Sequence, residues 1–412
     1  MDERNPQPFL TRRRAILGGT ALTLAVTGAG ALGIDLTDPG VGAAEEAAPA
    51  SPSATPAGQT GSWLSMSPRD DKPLRAILFA YGNGFRRAHL AFSNDGSTLT
   101  MARLPTHGTA IDVQVWNLEQ ESRIKAGTLE LGRFGAFAVG AEGVAYRDER
   151  CIGVWQRTKP ISTSPSVRCG QKNGSTTVAL SDDGTRLAAS VTYAPGGTGG
   201  PNRNYLDVWR VDPPELLHST HLPYQPHTLK FSDANRILAH AGRSGEYGEA
   251  GTHPLVGFID ITQKSARPEL TDIAADNPNR HARNVDDFDI SADGSMIAIS
   301  LSDPLSNPMG NPLFDEVQVW DVNARSLISI LRGKGGAVEF TRQGDLLATG
   351  TFDGYGLDIW DVQRRTARRS LNLTTAPEAA RGLNGSVAFS PDGRHLAVPV
   401  GRTVQLWDVS LM

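Results

Sequence analysis

Cysteine is scarce in this 412-residue chain: Cys151 and Cys169 are the whole supply, and with 17 residues between them they do not form a paired-cysteine zinc pattern. Charge of one sign is lacking too. Forty basic residues face 44 acidic ones, a net charge of −4, and no basic stripe runs through the sequence. Nothing therefore resembles a binder of nucleic-acid backbones. The one dense basic run, Arg364-Arg365 with Arg368-Arg369, reads as a solvated strand-to-strand turn. Catalytic signatures are missing as well. There is no His-Glu-x-x-His, no phosphate loop and no nucleophile elbow, so no cofactor is expected. The histidines of His218-Ser-Thr-His221 lie on a predicted strand, and three residues apart they point to opposite faces and cannot share a metal.

What is present is a repeat. Its fullest copy is the last. Val387 to Gly393 forms a strand ending in Ser390-Pro-Asp-Gly393, His395 to Val398 forms a second, and Thr403 to Val409 a third around Trp407-Asp408. Pro suits the second position of such a turn and Gly supplies the positive φ that follows. The turn recurs as Phe92-Ser-Asn-Asp-Gly96, Leu180-Ser-Asp-Asp-Gly184, Ile290-Ser-Ala-Asp-Gly294 and Phe340-Thr-Arg-Gln-Gly344. Val139-Gly-Ala-Glu-Gly143 and Phe231-Ser-Asp-Ala-Asn235 are weaker copies, the second with Asn in place of Gly. After each turn comes a strand ending at Trp116, Trp155, Trp209, Ile259, Trp320, Trp360 or Trp407. Six of the seven tryptophans thus hold one repeat position. Gly96 to Gly393 spans 297 residues in six steps, roughly 50 per repeat, the scale of propeller blades.

This Ser-Pro-Asp-Gly turn followed by a strand ending in Trp-Asp resembles the WD40-repeat β-propeller family. The resemblance implies an all-β, seven-bladed β-propeller of four-stranded antiparallel blades over residues 74–412. No Gly-His pair precedes the first strands, so the His-centred network of regular family members is not expected. Tol-type propellers share the turn but lack the closing Trp-Asp, and Kelch propellers need a Gly-Gly pair per blade. The chain ends just after a third strand, while Leu74-Arg-Ala-Ile-Leu-Phe79 is a strand ahead of the first turn. The ring is therefore expected to close by the N-terminal strand pairing into the last blade, which removes an open edge.

Ahead of the repeats, residues 1–48 carry Thr11-Arg-Arg-Arg14 and a mildly apolar run rich in Gly, Ala and Thr. The stretch resembles a twin-arginine export signal, with Val41-Gly-Ala-Ala44 as a cleavage site. An uncleaved membrane anchor is the rival, and either reading leaves the repeats outside the membrane. Residues 49–73, rich in Pro, Ala and Ser, read as a disordered linker.

The repeats differ mainly in the connection between second and third strands, long in repeats three, four and five. By strand alternation these insertions leave one face, and one-sided insertions mark a binding side. Tyr193, Arg203, Tyr205, Tyr247, His253, Arg280, Met309 and Phe314 are the candidate contacts for a protein or peptide partner, because loops that only connect do not need aromatics. Asp286, Asp287 and Asp303 form a weak calcium candidate, with solvated turns as the alternative. Cys151 and Cys169 would face each other across a hairpin and are the disulfide candidate. The expected function is that of an exported, monomeric interaction platform. The alternative is a hydrolase- or lactonase-type propeller enzyme acting on a small molecule at the channel mouth.

Overall fold

In the computed structural model the described residues are 63–65, 75–78, 85–105, 108–131, 135–148, 151–160, 166–169, 177–193, 203–232, 235–243, 254–262, 269–272, 284–302, 316–332, 334–351, 356–373, 386–400 and 403–410. Residues 1–48, and with them the export-signal and anchor readings, lie outside this set. Strands buried almost throughout in the second and third positions, and largely exposed in the outer one, fold into seven small antiparallel sheets, six of four strands and one of five, arranged as a seven-bladed β-propeller. Among the described residues no helix is long and apolar enough to cross a membrane.

The register explains why the repeat has the residues it has. In six blades the last apolar residue of the inner strand pairs with an apolar residue of the second strand, which pairs with the repeat's Trp. Phe92 faces Leu99 and Leu99 faces Trp116; Phe389 faces Leu396 and Leu396 faces Trp407. In blade four the same line runs Phe231, Leu238, Ile259. Seven apolar clusters result, and each is shared by two adjacent blades; one joins Leu99, Met101 and Trp116 of blade one to Ala397 and Leu406 of blade seven. A single blade could not bury these side chains alone, so the ring is the folding unit.

The acidic or amide residue after the Trp ends the third strand. Its side-chain oxygen accepts the backbone N–H three residues on, Gln120 on Asn117, Ala324 on Asp321 and Arg364 on Asp361, at 2.7–2.8 Å. That contact shapes the tight turn into the outer strand, where Glu121, Arg325 and Arg365 take φ values of 52–57°.

Closure follows the expected device. Arg75–Leu78 pairs with the third strand of blade seven, Arg75 opposite Leu406 and Leu78 opposite Thr403. One expectation needs correcting. Trp63–Ser65, inside the stretch read as a disordered linker (49–73), is a strand paired with Arg75–Leu78, so the propeller begins ahead of residue 74. The short run Trp63-Leu-Ser has the apolar, β-favouring character to extend a sheet edge, which the Pro-rich context around it concealed.

Blade two departs from the repeat. Gly140 pairs with Gly143, so the connection is a two-residue hairpin rather than the expected copy of the five-residue turn, and Gly143 does not adopt a positive φ. Glycine is needed there for a different reason: a Cβ on Gly143 would lie 2.1 Å from the carbonyl oxygen of Trp155. At this blade's outer edge Cys169 pairs with Cys151 in register, and Cys151 is disulfide-bonded.

Candidate functional site

Each inner strand runs toward a turn that joins it to the second strand, so the seven turns share one face. In four of them a serine and an aspartate lock the loop. Ser93 Oγ donates to Asp95 Oδ1 at 2.5 Å and accepts the Thr98 N–H at 2.9 Å, while the Ser97 N–H donates to Asp95. Ser181/Asp183, Ser291/Asp293 and Ser390/Asp392 repeat this pattern. Blade six reaches the same end with Thr341, whose hydroxyl donates to Asp345 just past Gly344. The Ser93 hydroxyl, with help from Ser97, holds the Asp95 carboxyl down to about 2. Burial alone would raise Asp183, yet hydrogen bonds from Ser181 and Thr185 hold it below the ordinary value. In blade four Asn235 takes the left-handed position, φ 51°, that glycine holds elsewhere.

The connections between second and third strands leave the opposite face. Tyr193 pairs with Arg203, Arg243 with Pro254 and Leu301 with Glu316, so the three long insertions of blades three, four and five all depart from that end. Tyr247, His253, Asp303, Met309, Phe314 and Arg280 lie outside the described residues. Tyr193 and Arg203 are cross-strand neighbours at the base of one insertion, and Tyr205 packs edge-on against His221 with ring centroids 5.5 Å apart. His218 is buried while His221 is exposed, the divergence expected of that pair.

Between the two faces runs a channel of about 830 Å³, lined by the inner strands of all seven blades. The residue just before the last apolar position of each inner strand faces it. Around the ring these are Ala91, Ala138, Ala179, Lys230, Asp289, Glu339 and Ala388. Four blades contribute alanine. The three adjacent blades four, five and six contribute a lysine and two acids.

Those three charges meet. Lys230 Nζ lies 2.9 Å from Asp289 Oδ1 and 3.1 Å from Glu339 Oε2, bridging blade four to blades five and six. Asp289 and Asp287 also staple blade five to blade six: Asp289 Oδ2 accepts the Phe340 N–H at 2.6 Å and Asp287 Oδ2 the Val338 N–H at 3.3 Å. Burial on its own would pull Lys230 down, but Asp289, Glu339 and Asp287 overcome it and hold its pKa well above the ordinary lysine value. Burial pushes Glu339 up to about 8, against the opposing pull of Lys230, and it raises Asp287 for the same reason. The Lys230 and Glu339 side chains keep a quarter of their surface open to the channel, so these shifts belong to a narrow wet cleft and not to a sealed core.

Arg342, in the blade-six turn, crosses the channel's end on the turn face. Its Nη2 donates to Asn94 Oδ1 of blade one at 3.1 Å and lies 3.8 Å from Asp182 Oδ2 of blade three. Of the calcium candidates, Asp303 lies outside the described residues, and Asp286 and Asp287 have different partners. Asp286 accepts the Ser302 hydroxyl at 2.9 Å, whereas Asp287 faces the blade-six backbone. Among the described residues no group of three or more His, Cys, Asp or Glu could hold a metal ion. Sequence reasoning named Asp287 only as a calcium candidate and did not single out Lys230 or Glu339. Aligning the turns would have found them, since each occupies a position that is alanine in four other repeats.

No protein-family model matches the chain, and no curated protein matches it. Solved structures do. The chain is similar to hydrazine synthase of Kuenenia stuttgartiensis (16% identity, TM-score 0.57), over 82% of this chain and 98% of that one. It is similar to the Cps50 (Swd1) β-propeller domain of Myceliophteria thermophila (12%, TM-score 0.53), over 81% and 99%. The Pan2 WD40 domain of Neurospora crassa matches at 14% identity and TM-score 0.54, over 81% and 94%. At these identities the likeness establishes the fold alone, a β-propeller.

Proposed function

We propose that this protein is an exported propeller that holds a protein or peptide partner on the face from which its three long insertions depart. The observation that carries the reading is the asymmetry of the two faces. The turn face carries short turns, four of them locked internally by the same Ser/Asp pair, and Arg342 spans its centre. The other face is where repeats three, four and five add sequence, including the aromatic and basic candidates Tyr193, Arg203 and Tyr205. Export is supported by the arginine run ahead of the apolar stretch and by the bonded state of Cys151, which suits an oxidising compartment.

The test is affinity capture from an extracytoplasmic fraction with the full protein and two variants. Shortening residues 194–202 and 244–252 is expected to abolish capture of the partner, and Asp183→Ala on the turn face to leave it unchanged. A partner retained by the shortened protein overturns the reading. Fractionation of cells carrying Arg12→Lys with Arg13→Lys tests export separately, since the variant is expected to stay inside.

A second reading, a propeller enzyme of hydrolase or lactonase type, draws on the channel. Glu339, with its carboxyl near neutrality beside Lys230, is the kind of group that proton transfer uses. Lactone turnover by the wild type that Glu339→Gln abolishes is the result it requires.

A further inference from the structure

The channel wall is lopsided, and its structural role accounts for only part of the charge. Asp287 and Asp289 join blade five to blade six through the Val338 and Phe340 N–H groups. Glu339 accepts no backbone N–H of that kind; its side chain bonds only Lys230, through which it ties blade six to blade four. The equivalent position is alanine in blades one, two, three and seven, which pack without a carboxylate there. An extra acid in a cleft, with a single lysine facing three carboxylates, leaves at Glu339 a carboxyl that a second cation could ionise. Opposite it Ala91 and Ala138 form a small apolar stretch, on a side that His89, Asn94 and Thr177 also line.

These two walls select a ligand class. An anion would meet three acids and a lysine already committed to two of them. A bare divalent cation needs several oxygens converging on a point, and among the described residues no group of three or more acidic, His or Cys side chains could hold one. An ammonium group on an apolar body satisfies both sides: the charge sits by Glu339 and Asp289, the body against the alanines. The space, about 830 Å³, suits a small molecule.

We infer that the channel binds a small organic amine, its ammonium hydrogen-bonded to Glu339 beside Lys230 and its apolar body lying on the arc of Ala91 and Ala138. This site is separate from the insertion face and stands or falls independently of the partner proposed there.

Calorimetry of the full protein with 2-phenylethylamine tests it, with 2-phenylethanol and calcium chloride as controls. Saturable binding of the amine is expected, with affinity at least tenfold weaker for the alcohol and for calcium. Glu339→Gln is expected to weaken amine binding by about tenfold, the loss of one charge-assisted contact. Ala91→Leu, which fills the apolar arc and leaves the charges in place, is expected to weaken it similarly. Circular dichroism establishes that each variant is folded. Binding to the wild type should also release protons at pH 7, read as heats that differ between buffers of different ionisation enthalpy, because the amine displaces the proton on Glu339. No amine binding at millimolar concentration overturns the inference. So does binding that both variants retain, or equal binding of alcohol and amine; preference for calcium would make the site one for inorganic cations instead.

Discussion

The rim of turns and the channel wall behind it belong to the same seven strands, a few residues apart, and they are built on opposite rules. At the rim each serine–aspartate pair is satisfied inside its own blade, and the motif is copied from blade to blade. On the wall the charges of Lys230, Asp289 and Glu339 come from three blades and make sense only together. A motif that closes on itself can be repeated, lost or replaced singly, as blade two with its Gly140–Gly143 hairpin shows. A network that spans blades exists once and depends on the ring that holds those blades in place.

That dependence gives the largest expected effect. A chain beginning at residue 85 lacks both Trp63–Ser65 and Arg75–Leu78, and leaves the Thr403–Asp408 strand as an open edge. It is expected to lose its single cooperative unfolding transition, with a stability deficit of about 4 kcal/mol or more. If its thermal melt matches that of the full propeller, the ring is not closed by these strands. Next comes blade two, whose reinforcement is covalent. Replacing both cysteines by serine opens a loop of 17 intervening residues, and the expected cost is about 3 kcal/mol on the loop-entropy view. Urea denaturation of the two forms measures it; equal midpoints would show that the bond adds nothing.

The wall should answer to pH. Glu339 has a folded pKa raised to about 8, so its contribution is fully present below the ordinary glutamate value and drains away as pH climbs through 8. Lys230→Met removes the cation that eases this ionisation. The expected loss is about 1 kcal/mol at pH 6, growing to about 3 kcal/mol at pH 9. Glu339→Gln should flatten the wild-type slope of stability between pH 5 and 8. A Lys230→Met deficit that is the same at both pH values would show that the wall does not titrate as a unit.

The contrast also separates what could be read in the sequence from what could not. The rim was legible because local chemistry dictates it. Ser, Asp and Gly at fixed offsets define a turn with a known φ, and Trp116 through Trp407 mark one register position seven blades over, with Ile259 as the single exception. Closure was legible too, since a spare strand at one end met a missing strand at the other. The strand at Trp63 was hidden because three residues are too few to show alternation. The Lys230 cluster was hidden for a deeper reason: residues 230, 289 and 339 are about one repeat apart, and only the curvature of the ring turns that spacing into contact. The insertion residues chosen for aromatic or apolar character, Tyr247, Met309 and Phe314 among them, rest on composition alone.

The smallest effects belong to the rim, and their pattern is the sharpest test of the comparison. Asp183→Ala removes the acceptor for the Ser181 hydroxyl and for the Thr185 N–H and hydroxyl, leaving the glycine turn itself in place. The expected cost is about 1 kcal/mol, as for one partly exposed turn contact. Asp293→Ala should cost the same, because Ser291 and Ser295 make equivalent bonds to it. The two turns share no polar partner, so the double variant should lose the sum of the two single losses within about 0.5 kcal/mol. The pH dependence has the opposite sign to that of the wall. Hydrogen bonds hold both carboxyls below the ordinary value, so their contribution is present above about pH 4 and fades as pH falls through the folded pKa. Urea midpoints of the single and double variants at pH 7 and pH 3 would therefore converge toward wild type on the acid side. Strong coupling between Asp183 and Asp293 would mean that the rim, like the wall, works across blades, and the division between a repeated rim and a singular wall would not stand.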